Sequence, residues 1–373
     1  MKDKIFAIEA VAIIVGTTVG AGILALPYVI AQAGFLTGLV VIVVVAAVML
    51  LINLMLGEIS LSSRGINQLP GYVASYLGRR AMWTTLILQV LALYGSLLAY
   101  VIGEGYVLTD LFGGRPYVNS LLFLGISGGL LYFGLNIVKR LELLLTLVIF
   151  AIVAAVYIIT RAHIQTINLN VFSWTSLLVP YGAIIFASMG FSSIPQVREV
   201  LLGRERLMRR CLIIGTALPI LLYIIFALIV VGVSGLATTE VATIGLGHMV
   251  GPSMIIFGNV FAFITMATSF LTLGMALLKT YQQDLKIHHT MAWILTLVVP
   301  LILFVLGVQS FSMIVSLIGA VAGGALCLII ILTFVRVKQR LRSPEYRITK
   351  NWWIIVPGVA VLLIGLIHAI ITL

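Results

Sequence analysis

The run Gly16-Thr17-Thr18-Val19-Gly20-Ala21-Gly22-Ile23-Leu24-Ala25-Leu26-Pro27 sets three glycines and a proline inside an apolar segment, Ile5 to Ala33, that is long enough to cross a bilayer. In a helix interior glycine costs about 1 kcal/mol relative to alanine, and proline about 3 kcal/mol. A spanning helix is therefore expected to break here, at mid-membrane depth. Hydrocarbon cannot satisfy the N–H and C=O groups that a break releases, so a break persists only where it is buried in protein or lines a cavity. The stretch requires a bundle of other helices around it, and it is the first candidate for a place where something polar binds.

The rest of the chain supplies that bundle. Of its 373 residues, 62% are hydrophobic and 9% charged, which is a membrane composition. A crossing takes about 20 apolar residues at a rise of about 1.5 Å each. Eleven segments meet that rule: 5–31, 34–60, 82–112, 117–135, 141–160, 176–200, 208–234, 251–281, 290–308, 310–336 and 351–372. Threaded from a cytoplasmic N-terminus, they place Lys2, Lys4, Arg64, Arg79, Arg80, Lys139, Arg140, Arg198, Arg204, Arg206, Arg209 and Arg210 on the inner side. Lys279, Lys286, Arg336, Lys338, Arg340, Arg342, Arg347 and Lys350 join them, making 20 of the 22 basic residues; Arg115 and Arg161 fall outside. That is the positive-inside asymmetry.

The reading is an all-α polytopic membrane protein: one transmembrane domain over 1–373, multi-pass in the cell (plasma or inner) membrane, N-terminus cytoplasmic and C-terminus extracytoplasmic. The net charge of +11 orients the chain in lipid and is not a nucleic-acid footprint. The first apolar run is too long for a cleavable signal peptide. Cys211 and Cys327 have no disulfide or zinc spacing. Residues 71–78 are expected to form a brief interfacial helix, and 238–248 an outer loop with a helical turn.

A second interruption echoes the first. The sixth segment carries Phe186-Ala187-Ser188-Met189-Gly190-Phe191-Ser192-Ser193-Ile194-Pro195, and Gly190 to Pro195 repeats the five-residue step from Gly22 to Pro27. Spans one and six are five apart, so the two broken helices cross the membrane in opposite directions. This is the signature of an inverted-repeat transporter, with discontinuous helices meeting near the midplane. The expected units are 1–160 and 175–337, with an additional C-terminal helix in 345–373. The plainer alternative is two proline kinks packed by neighbouring helices.

A broken helix offers two chemistries. Its second half starts with free N–H groups and the positive end of the dipole, which suit an anion. Its first half ends with free carbonyls, which suit a cation. A free amino acid, carboxylate at one end and ammonium at the other, fits both. The candidate substrate-binding residues are Thr17, Thr18, Gly20, Ala21 and Gly22 from span one, and Ser188, Met189, Gly190 and Phe191 from span six. In span eight, Thr265, Thr268 and Ser269 form an oxygen-rich patch that, with carbonyls of Gly16 and Val19, can bind a Na⁺ ion. The alternative is that these hydroxyls bond back to their own helix.

Other features read more plainly. Gly20-x-Gly22-x-x-Ala25 matches a loose dinucleotide fingerprint, but that motif needs a βαβ unit and this one sits in a membrane span. Gly16-x-x-x-Gly20 is compatible with helix packing. Glu58, near the inner end of span two, is expected to pair with a loop arginine rather than carry protons. Glu104, toward the outer part of span three, either meets water in an entry path or is structural. Glu142 is expected to pair with Lys139 or Arg140. His163, His248 and His368 fall near the outer surface and are expected to be solvated. His288 and His289 fall in an inner loop. No nucleophile–base or metal-ligand spacing points to an enzyme.

Gly-Ala-Gly-Ile-Leu-Ala-Leu-Pro-Tyr at 20–28 resembles the span-one signature of the amino acid/auxin permease group and of the prokaryotic aromatic amino acid permeases. The similarity continues at 93–100, 190–195 and 267–271. The resemblance implies a LeuT-like fold of five plus five inverted spans with an eleventh appended, and substrate bound at the two breaks. It further implies a cation site lined by Thr268 and Ser269, and Tyr94 as the span-three contribution to the pocket. Two departures stand out. Ser192 occupies the place where aromatic amino acid permeases often carry a histidine. The fifth span, 141–160, lacks the lysine through which some relatives couple to protons, which favours Na⁺. The expected activity is secondary transport of a small neutral amino acid by alternating access, coupled to Na⁺ or H⁺, with no other cofactor. The rivals are a non-transporting sensor or assembly protein that retains the fold, and a channel.

Overall fold

The computed structural model describes residues 2–133, 137–339, 344–348 and 351–372, with the side chains of Lys2, 137–147, Gln283, Asp284 and Thr372 excepted. The side chains of the expected inner charges Lys2, Lys139 and Arg140 and of Glu142, and the whole of Arg340, Arg342, Lys350 and the end of span four at 134–135, lie outside the described residues. All regular structure among the described residues is helical. The first half runs α1 (Lys2–Thr18), α2 (Ala21–Ala33), α3 (Phe35–Ser62), α4 (Leu69–Leu77), α5 (Arg79–Phe112), α6 (Pro116–Phe133), α7 (Ile137–Thr160) and α8 (Thr166–Leu169). Then follow α9 (Tyr181–Ala187), α10 (Ile194–Val200), α11 (Met208–Ser234), α12 (Ala242–Val250), α13 (Pro252–Lys279), α14 (His289–Val305), α15 (Phe311–Ile318), α16 (Gly324–Val337) and α17 (Trp352–Thr372).

The expected apolar segments overlap the helices, or sets of shorter helices, among the described residues. Among the described residues, seven helices are long and apolar enough to cross a membrane unaided: Phe35–Ser62, Arg79–Phe112, Pro116–Phe133, Glu205–Ala237, Pro252–Gln282, Phe311–Val337 and Trp352–Ile371. The first segment qualifies as a pair, with α1 and α2 bent by 53°. Val148–His163 and His289–Val305 are shorter apolar helices, and the sixth segment is divided between α9 and α10. The short helix expected at 71–78 appears as α4, and where an outer loop with a helical turn was expected at 238–248 the chain forms the nine-residue helix α12.

In lipid, helices gain little hydrophobic energy from meeting one another, so close packing at small residues holds the bundle. The long helix α5 shows this. It packs along α13, α6 and α15, with Gly95 against Ile318, Gly103 against Met266 and Gly105 against Ser120. The turn from α2 to α3 is made at Gly34, whose φ of 91° is one that L side chains rarely adopt.

The two broken segments pair crosswise. The first half of one, α1, packs on α10, the second half of the other, while α2 packs on α9. Parallel segments would pair first half with first half, so these two run antiparallel.

Polar contacts gather at the ends of the bundle. Asp3 bonds Arg204 at 3.0 Å and Arg206 at 2.7 Å, tying the start of α1 to the turn before α11. Glu58 pairs with Lys338 and accepts from the Ile348 N–H at 2.7 Å, so the charged partner seen among the described residues is a lysine at the end of α16. The nearby arginine, Arg198, instead donates to the carbonyls of Ser60, Gly65 and Ser63 at the end of α3. The reason is geometric: a guanidinium fork serves several free helix-end carbonyls at once, whereas an ammonium is a point charge. At the opposite end His248, expected to be solvated, lies 2.7 Å from Asp110, which also accepts from Asn259.

Candidate functional site at the crossing of the two broken helices

Glycine, more than proline, makes the first break. The helix stops at Thr18 and restarts at Ala21, with Gly20 at φ −132° and ψ −143° between them. Pro27 lies inside α2 and does not interrupt it. Thr17 and Thr18 turn their hydroxyls back onto the carbonyls of Ile13 and Ile14, at 2.7 and 2.6 Å. In the second break α9 ends at Ala187, the Gly190 N–H bonds Ser188 O at 2.7 Å, and a tight turn over Gly190–Ser193 leads into α10. Pro195 sits in the first turn of α10, where a missing N–H costs nothing.

The glycines of the breaks are spaces for protein. A methyl group on Gly22 would lie 2.5 Å from Cβ and 2.6 Å from Cα of Ala187, the last residue of α9. One on Gly190 would lie 2.3 Å from Thr18 Oγ1, and one on Gly20 would lie 2.9 Å from Ser269 Oγ and 3.0 Å from Tyr100 Oη. These bare positions let the two breaks interlock.

Two tyrosines that the sequence reading did not single out close the junction. From α11, the buried Tyr223 hydroxyl donates to Thr18 O at 2.8 Å and to Ala187 O at 2.7 Å. Those are the terminal carbonyls of the two first half-helices, and one hydroxyl proton is shared between them. From α5, the Tyr100 hydroxyl faces Ser269 of α13 and the backbone of Ala21, the first residue of α2. One tyrosine therefore stands at the carbonyl ends, and the other at the amide end. Ser188, also buried, carries a hydroxyl with no hydrogen-bond partner. Phe191 is buried, and Met189 packs against Gly323.

The span-three residue whose hydroxyl reaches the break is Tyr100. The Tyr94 hydroxyl bonds Tyr281 and donates to Leu295 O at 3.0 Å. Six residues along a helix is about 9 Å of rise and about 120° of rotation, enough to send the two rings to different neighbours. A buried tyrosine must find a partner for its hydroxyl. That was the one signal for Tyr100 and Tyr223, and it does not reveal which partner.

The span-eight hydroxyls divide. Thr265 donates to Phe261 O at 2.8 Å, and Thr268 to Ile264 O at 2.7 Å and Thr265 O at 3.2 Å. Ser269 turns toward Gly20 and Tyr100. Val19 donates its N–H to Val15 O at 2.8 Å, and Gly16 lies in the last turn of α1.

Comparisons with known proteins agree with this architecture. The tryptophan/tyrosine permease family matches the chain over residues 2–373. Tyrosine-specific transport system 1 of Haemophilus influenzae is 27% identical over 74% of this chain and 72% of its own length. Glutamine transporter 2 of Aliivibrio fischeri is 22% identical over 86% of each. Among solved structures, MhsT in complex with L-phenylalanine superposes with a TM-score of 0.65 at 18% identity, covering 97% of both chains. A manganese transporter of Eremococcus coleocola does so with a TM-score of 0.69 at 16% identity, covering 98% of this chain and 86% of that one. At such identities the structural likeness shows a shared fold, the LeuT-like one.

Proposed function

We propose, from the premise that this chain belongs to the tryptophan/tyrosine permease family, that it is a secondary transporter. It moves a neutral amino acid, aromatic in the first instance, across the cell membrane by alternating access, coupled to Na⁺ or H⁺. The observation that carries this reading is the crossing of two antiparallel helix breaks whose main-chain ends converge on Tyr223 and Tyr100. The substrate carboxylate takes the amides of Ala21 and Gly22, where the dipole of α2 is positive. The ammonium takes the carbonyls of Thr18 and Ala187. Each carbonyl has two lone pairs, so Tyr223 leaves one free on each while fixing the gap between them. Thr17, Gly20, Ser188 and Gly190 shape the rest of the site, and Phe191 and Met189 meet the substrate side chain.

The two five-span units, 1–160 and 175–337, rock about this crossing, with the N-terminus cytoplasmic and the C-terminus outside. The identity of the tyrosine and glutamine transporters among its relatives supports an amino acid as cargo. The test is counterflow. Proteoliposomes loaded with unlabelled L-tyrosine or L-phenylalanine take up the labelled form from outside, and external unlabelled substrate saturates the uptake. A sensor gives no uptake, and a channel gives no stimulation from the far side.

A further inference from the structure

Glu104 lies on α5 one turn beyond Tyr100, is fully buried, and neither of its carboxyl oxygens has a hydrogen-bond partner. Its carboxyl faces the backbone of Ala267 on α13, the helix that presents Ser269 to the first break. Its flanking glycines pack on Met266 and Phe311 at one side and Ser120 at the other.

No cation lies against it among the described residues. From Pro252 to Leu278 α13 has no ionisable side chain, and α15 has none. On α6, Tyr117 stacks on Phe304 and Tyr132 meets Trp293 edge to face. On α14, His289 is bonded to Gln282, and on α4, Tyr72 and Tyr76 bond Ser60 and Ser63. Tyr28 is the ionisable residue of α2, and Arg336 and Cys327 those of α16. On α5 itself Asp110 is held by His248 and Asn259, Tyr94 by Tyr281, Tyr100 faces the break, Tyr106 is exposed, and Arg79 and Arg80 stand at the far N-terminal end.

A buried ionised carboxylate without counter-ion or donor is several kcal/mol unfavourable, and an intramembrane ionisable residue is a functional hypothesis by default. Other carboxylates among the described residues are either exposed, as Glu9, Glu199 and Glu345 are, or partnered: Glu58 by Lys338, Asp3 by two arginines, Glu240 by Ser310 and the Ser312 N–H. Among the described residues Glu104 is the buried carboxylate whose oxygens have no such partner, and it sits one turn from the crossing of the breaks.

We propose that Glu104 is the proton-binding site of the transport cycle, and that the α5–α13 contact closes over it only when the proton is on. The inference rests on the transport reading above and specifies its coupling ion as H⁺. The step balances simply. With the site open to outside water the carboxylate takes up one proton, forming one O–H bond. After the site opens inward, that bond breaks and the proton leaves to inside water. One proton thus enters with each amino acid.

Proteoliposomes with the electrical potential clamped and the outside one pH unit more acidic provide the test. For one proton per substrate, such a gradient sustains about tenfold accumulation of L-tyrosine or L-phenylalanine. Glutamine imitates the protonated side chain without titrating, so E104Q is expected to exchange labelled for unlabelled amino acid but to lose the roughly tenfold accumulation. Accumulation by E104Q equal to that of the unaltered protein overturns the proposal. A second measurement needs no variant: a pH dye trapped inside must report acidification when substrate enters. Entry driven by Na⁺ at equal pH, without acidification, also overturns it. Absence of exchange by the unaltered protein would instead refute the transport reading.

Discussion

Replacing Tyr223 with phenylalanine removes one oxygen and leaves the ring packing in place. That oxygen lies 2.8 Å from Thr18 O and 2.7 Å from Ala187 O, in a side chain 1% exposed. The single hydroxyl proton makes the equivalent of one full bond to the two acceptors. Leaving a buried carbonyl without its donor costs about 1–3 kcal/mol, a factor of roughly 5–150 in the population that holds the two breaks at their binding separation. Apparent substrate affinity falls with that population. Purified Tyr223→Phe protein should therefore melt earlier and bind L-tyrosine more weakly by about the same factor. Tyr181→Phe is the matched control. Its hydroxyl makes a 3.3 Å contact with Leu362 O on α17, away from the breaks, and its loss should stay below about 1 kcal/mol with affinity unchanged. Equal affinity in Tyr223→Phe and the unaltered protein would refute the claim that this hydroxyl sets the spacing of the carbonyl ends.

Three further perturbations probe the same geometry. Gly190→Ala drives a methyl group to 2.3 Å from Thr18 Oγ1, which should cost about 1–3 kcal/mol of stability. Adding Thr18→Ala should recover much of that loss, because the next atom, Thr18 Cβ, is 3.6 Å away; a double-mutant cycle by thermal melting shows the coupling. Gly22→Leu has no flexible neighbour to displace, since it meets Cα and Cβ of Ala187; L-tyrosine uptake should vanish, and normal uptake would refute the crossing. Glu58→Gln leaves the largely buried Lys338 without its counter-charge, so stability should drop by about 3 kcal/mol, while exchange per folded molecule stays the same.

The parts legible in the sequence were those written in backbone chemistry. Glycine inside an apolar run has a local cost that the chain cannot hide, so Gly20 and Gly190 marked both breaks before any contact was known. The crosswise pairing of α1 with α10 and α2 with α9 then followed from counting crossings. Partnerships between distant helices were not legible. A lone tyrosine in a hydrophobic helix looks like core, so Tyr100 and Tyr223 passed unnoticed. Tyr94 drew attention through its resemblance to a family motif, yet it points elsewhere. The Glu58–Lys338 pair spans most of the chain, and nothing local distinguishes it from a pairing with the nearer Arg198. Pro27 was read as part of the break, but a helix held on every side tolerates a proline within its length.

The central claim is that the interlocked breaks hold an amino acid by its charged ends. An experimental structure in lipid with L-tyrosine bound tests it most directly. The account predicts the carboxylate at the amides of Ala21 and Gly22, and the ammonium between the carbonyls of Thr18 and Ala187 beside the Tyr223 hydroxyl. L-tyrosine bound away from this crossing, with the carbonyls of Thr18 and Ala187 still joined only through Tyr223, would contradict it.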